Sequence, residues 1–126
     1  MEGRGRILLV DDEDAVRNVA ARMLRRAGYE VETASDGQEA VDLMRANPAR
    51  CDVVLLDGNM PRMTGRDAAR LIRALRPDLP LILATGYYDG GAGEPTWGDV
   101  FNAAIDKPYN MATLSGVVAA QLTALD

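Results

Sequence analysis

The sequence predicts an α/β fold built on a parallel sheet with helices on both faces, and three observations carry that prediction. Short apolar runs, "ILLV", "VVLL" and "LILA", recur along the 126 residues, each of strand length. Amphipathic segments of helical period separate them, which is the signature of βαβ units. No repeat, low-complexity tract or linker interrupts the alternation, so the expectation is one domain over 1–126, with 1–5 as an N-terminal extension.

In chain order, "RILLVDD" reads as a buried first strand. Asp14 is placed to cap the first helix, whose apolar stripe is Val16, Val19, Ala20, Met23, Leu24 and Ala27, and Gly28 stops it. "RR" at 25–26 suits the negative end of that helix. "YEVETA" alternates as a half-exposed strand does, and "DGQEAVDLMRANP" is a helix closed by Pro48. "CDVVLLD" is a second fully apolar strand, with Cys51 as a small core residue. Ala68, Leu71, Ile72 and Leu75 stripe a third helix halted by Pro77. "LPLILAT" is another buried strand and "VFNAAID" a weaker last one. Leu114, Val117, Val118, Leu122 and Leu125 stripe the final helix.

Composition excludes several chemistries. With no histidine, a Ser-His-Asp or Cys-His pair cannot form, nor can a histidine metal site. One cysteine excludes an internal disulfide. A net charge of −5 with scattered basic residues argues against a nucleic-acid surface. The apolar runs are too short to span a membrane and none follows the charged start, so the expected location is the cytoplasm.

In a sheet of this kind ligands sit beyond the carboxyl ends of the strands. Asp11 and Asp12 follow the first strand, Asp57 the third, Thr85 the fourth and Lys107 the fifth. Lys107 is the single lysine among fourteen basic residues. Carboxylates packed together repel unless a cation sits among them. Hard oxygen ligands with room for water suit Mg²⁺, while a hydroxyl and an ammonium bind an anion, so the set describes a site for a phosphoryl group. Asp57 is the nucleophile such a site offers, because a carboxylate forms an acyl phosphate.

"LLVDDE", "LLDGNMPRMTG", "LILATGY" and "DKP", in this order and spacing, resemble the response-regulator receiver family of two-component signalling over roughly residues 6–125. "RPDLPLILATGY" resembles receivers attached to hybrid sensor histidine kinases more than those joined to DNA-binding domains. The resemblance implies a flavodoxin-like sheet of order 2-1-3-4-5 and a Mg²⁺-dependent transfer from a kinase phosphohistidine onto Asp57, with Mn²⁺ able to replace Mg²⁺. It also implies a phosphoacceptor rather than an enzyme, and as partner a histidine kinase or a histidine phosphotransfer protein, with homodimers known in such families. By motif, Asp12 and Asp57 match direct metal ligands, Asp11 the acidic partner acting through water, and Asn59 a backbone carbonyl ligand. Thr85 matches the switch hydroxyl and Lys107 the family's ammonium. The bond to Pro108 matches a cis peptide, and Gly65 a tight turn needing positive φ.

Two features depart from that family. Ala104 stands where an aromatic switch residue is usual, three residues before the lysine. The connection "YYDGGAGEPTWGDVF" replaces a fourth helix. Its four glycines cost about 1 kcal/mol each in a helix and its proline about 3, so this helix is expected to be absent, short or displaced. Nor is "GGAG" a dinucleotide fingerprint, because no helix follows it directly. Two other classes share part of the pattern. An aspartate-nucleophile phosphohydrolase needs a second acid where Asn59 stands, and an amide is no general acid. A receiver-like module that only binds a partner needs no acidic cluster at all.

Overall fold

The computed structural model describes residues 5–58, 60, 63–85, 100–107 and 109–123. Five strands, β1 (Arg6–Val10), β2 (Glu30–Ala34), β3 (Val53–Asp57), β4 (Leu81–Thr85) and β5 (Ala103–Asp106), form one sheet of order β2-β1-β3-β4-β5. Every neighbouring pair is parallel. The described helices are α1 (Asp14–Arg26), α2 (Gly37–Ala46), α3 (Gly65–Leu75) and α4 (Met111–Thr123). This is the flavodoxin-like order that the resemblance implies. Residues 86–99 of the glycine-rich connection, and with them the expectation that its helix is absent, short or displaced, lie outside the described residues.

The alternation of side chains along each strand divides the core in two. Leu8, Val10, Val54 and Leu56 face Ala40, Val41 and Met44 of α2 and Ala68, Ala69 and Ile72 of α3. Ile7, Leu9, Val53, Leu55, Ile82 and Ile105 point the other way, onto Ala20, Ala21 and Leu24 of α1 and Leu114 and Val118 of α4. β1, β3 and β4 are buried on both sides, which is why they read as unbroken apolar runs. Cys51 is a core residue beside Met44, with Sγ 3.8 Å from its Sδ. Burial pushes its thiol up from 9.0 to about 11, outweighing the nearby arginines.

Local signals set the helix ends. Asp36 caps α2 by accepting from the Glu39 N–H at 2.8 Å, while Glu39 accepts from Ser35 N at 2.8 Å. Thr64 and Asp67 form a reciprocal capping box at the start of α3. α1 differs from expectation: Glu13 occupies the cap position without a side-chain bond, and Asp14 is already helical. The Asp14 carboxylate is instead taken by Arg17, 2.6 Å away. Gly28 ends α1 with φ 101°, the left-handed stop its position suggested.

Two stripe positions also differ. Val19 is 48% exposed and Leu71 is 38% exposed. The buried rows of α1 and α3 run through adjacent small residues, Ala20–Ala21 and Ala68–Ala69, and these turn the valine and leucine outward. β5 is shorter than "VFNAAID" because the Asn102 side chain takes over the ladder, its Oδ1 accepting from Leu81 N at 2.9 Å. Val100 and Phe101 precede the strand and are buried against the α2–α3 side.

Candidate functional site

Parallel pairing in register brings the carboxyl ends of β1, β3, β4 and β5 to one edge. Asp57 ends β3 opposite Ala84, and Thr85 ends β4 opposite Asp106. Asp11 and Asp12 leave β1 just beyond its last paired residue, Val10. Lys107 leaves β5, held by its N–H donating to the Thr85 carbonyl at 2.9 Å.

Carboxylate oxygens of Asp11, Asp12 and Asp57 lie within 4.8 Å of one another. Asp11 and Asp57 are buried, and Asp12 is exposed at the rim. Such a trio is tolerable only with a cation present. Lys107 supplies one: its Nζ donates to Asp11 Oδ2 at 3.0 Å and lies 3.4 Å from Asp57 Oδ1. Burial lowers the pKa of this ammonium, but the hydrogen bond to Asp11 and the charges of Asp57 and Asp11 outweigh it and hold the value above the ordinary lysine range. Tyr109 stands close enough to feel the same charges; burial first, then Asp11, raises its phenol. The second Asp11 oxygen accepts from Glu13 N at 2.9 Å, which fixes that carboxylate at both ends.

Gly65 shows why no side chain is allowed at the start of α3. A Cβ there would collide with the Asp57 carbonyl oxygen and stand 3.0 Å from Gly58 Cα. Among the described glycines only Gly28 has a positive φ, so Gly65 is needed for space and not for the torsion expected of it. Its N–H reaches the Gly58 carbonyl at 3.4 Å, so α3 is seated directly on the chain that carries Asp57.

Asp11, Asp12, Asp57 and Lys107 are therefore brought together, and Thr85 stands on the adjoining strand end. Asn59 and Pro108 lie outside the described residues. Ala104 is half-buried in β5, paired with Leu83, and presents no aromatic group. Arg17, which no motif singled out, donates to the Asp11 carbonyl oxygen at 2.8 Å. Its spacing of three from Asp14 was the sequence signal for it.

Comparison with known proteins agrees with this geometry. The model of the response regulator receiver domain matches residues 7–119. The sensor kinase CckA of Brucella abortus (strain 2308) is 32% identical over 126 residues, all of this chain and 13% of that protein. The chain spans between 13% and 34% of the length of the first curated relatives it matches. Among solved structures, a receiver domain from the hybrid histidine kinase CckA is 36% identical, covering 94% of this chain and 99% of that one, with a TM-score of 0.78. A receiver domain protein from Clostridium thermocellum is 27% identical over 97% of each chain, with a TM-score of 0.89. With the motifs, the sheet order and the family match in agreement, the chain belongs to the response regulator receiver domain family, the phosphoacceptor module of two-component signalling.

Proposed function

We propose that Asp57 accepts a phosphoryl group from a phosphohistidine of a partner histidine kinase or histidine phosphotransfer protein. The observation that carries this reading is the three-carboxylate cluster with the Lys107 ammonium set between Asp11 and Asp57. In the transfer, an Asp57 oxygen bonds to phosphorus as the P–N bond to the imidazole breaks, and the leaving nitrogen keeps the electron pair. Lys107 stays within reach of the new anionic oxygens and Thr85 offers a hydroxyl to another. The chain turns over no outside substrate in this reading.

The donor set fits a small hard cation: three carboxylates, one of them open to solvent, leave room for water ligands. Asp12 and Asp57 would hold Mg²⁺, or Mn²⁺ in its place, with Asp11 acting through water and Asn59 through its carbonyl. When bound, that ion neutralises charge on the transferring oxygens. Similarity to CckA over the full chain supports a parent protein of the hybrid-kinase type. No helix among the described residues is long and apolar enough to cross a membrane.

The test is intact mass after incubation with a small phosphodonor. One phosphoryl adduct is expected with Mg²⁺, and none after chelation or in Asp57→Asn. An adduct retained by Asp57→Asn, or none in the wild type, would contradict the reading; the second result favours a module that acts by binding alone.

A further inference from the structure

We propose that Arg17 is a positioning residue for the acidic cluster, fixing the peptide that joins Asp11 to Asp12; this deepens the phosphoacceptor reading and rests on it. The guanidinium is a fork with two separate engagements. Nη1 donates to the Asp11 carbonyl oxygen at 2.8 Å, and Nη2 pairs with the Asp14 carboxylate at 2.6 Å. Its side chain is only 14% exposed, whereas Asp14 is 82% exposed. Arg17 therefore ties the last turn of backbone after β1 to the first turn of α1.

What that tie controls is Asp12. Asp11 has its own restraints: its N–H donates to Ala34 O at 3.2 Å, and its carboxylate is held by Glu13 N and Lys107. Among the described residues the Asp12 carboxylate has no hydrogen bond or ion pair, yet it must point into the cluster. The peptide bond is planar, so fixing the direction of the Asp11 carbonyl also fixes the plane carrying Asp12 N and Cα. The exposed carboxylate is thus aimed through its backbone, and the aim depends on Arg17. Lysine cannot replace it, because one ammonium on a thin stem does not span both acceptors in a fixed geometry.

The position and the charge of Arg17 push metal binding in opposite directions. Removing a cation beside three carboxylates favours a divalent ion, while releasing Asp12 disfavours it. Arg17→Lys separates the two, since it keeps the charge and loses the fork.

Mg²⁺ affinity is measured from the amide NMR shifts of residues 11–13 in wild type, Arg17→Lys and Arg17→Ala. Arg25→Lys serves as control, because Arg25 donates to Val31 O at the far end of α1. The rate of phosphoryl adduct formation is followed over the same Mg²⁺ range. Arg17→Lys is expected to weaken Mg²⁺ binding roughly tenfold, the lower end for residues that orient metal ligands. Its adduct rate recovers at saturating Mg²⁺, and the control stays at the wild-type affinity. Should both Arg17 variants fail to fold, Asp14→Asn removes the second anchor alone and is expected to weaken Mg²⁺ about twofold, in keeping with an exposed pair. Wild-type Mg²⁺ affinity in Arg17→Lys, or in Asp14→Asn where Arg17→Lys does not fold, overturns the inference, as does a lowered melting point of that variant with unchanged affinity. A wild-type chain that takes no phosphoryl group overturns the phosphoacceptor reading itself; a wild type that takes it, beside an Arg17→Lys that binds Mg²⁺ normally, overturns only the role of Arg17.

Discussion

Arginine and lysine divide the work of this chain by their shapes. Arg17, Arg25, Arg50, Arg73 and Arg76 all donate to backbone carbonyls, so the fork serves to hold loops and helix ends. Lysine appears once, where a point charge must sit between two carboxylates and still leave room for an incoming group. Lys107→Arg keeps the charge but clamps the carboxylates with a broad fork. It is expected to slow adduct formation roughly a hundredfold, the cost of losing one well-placed donor, as read by intact mass over time. Gly65→Ala sets a methyl against the Asp57 carbonyl and is expected to cost about 1–3 kcal/mol, read by urea unfolding. Lys107 was legible because its neighbours formed a chemical set; the reason for Gly65 was not, because a sequence shows that a glycine is present but not whether torsion or space requires it. Cys51 was legible as core, and its raised thiol fixes a pH dependence. The folded chain holds that proton longer than the unfolded one, so the contribution is complete below the ordinary thiol value and is lost as pH rises towards about 11. At pH near 8 a thiol reagent is expected to label Cys51 only as fast as the protein unfolds; rapid labelling of the native chain contradicts this burial.

The helices show where periodicity stops being informative. Apolar spacing located all four described helices, but it spread the stripes of α1 and α3 too widely, taking in Val19 and Leu71. The buried rows follow alanines that allow the helix to lie close to the sheet, and alanine carries too little hydropathy to mark a face. The ends of α2 and α3 were better encoded, through Asp36 and through the Thr64–Asp67 box. Long-range polar ties were not legible at all. Arg73 of α3 donates to Leu79 O at 2.7 Å, Val100 O at 2.6 Å and Asn102 Oδ1 at 2.8 Å, residues up to 29 positions away. That one guanidinium pins the chain entering β5 to α3 and β4, and burial lowers its pKa. Arg73→Ala leaves those acceptors without their charged donor and is expected to cost about 2–4 kcal/mol. Hydrogen exchange should then rise first at Val100–Asn102; uniform exchange would show that this tie is not what holds the segment.

At the scale of the molecule, the alternation of strand and helix was enough to imply a parallel sheet, and the motifs supplied its order. Adjacent pairing of β1 with β3 and of β3 with β4 is what turns residues 11, 57 and 85 into neighbours. The chemistry is distributed over nearly 100 positions of sequence and converges because every strand runs the same way. Two features depart from the family pattern in the sequence: Ala104 in place of an aromatic residue, and a glycine-rich connection before β5. The central claim, that this convergence makes Asp57 the acceptor, is tested most directly by marking the phosphorylated residue itself. Borohydride reduction of the phosphorylated protein converts an aspartyl phosphate into homoserine, which peptide mass spectrometry then locates. Homoserine at position 57 alone is the expected result, and homoserine at position 11 or 12, or at none of the three, contradicts it.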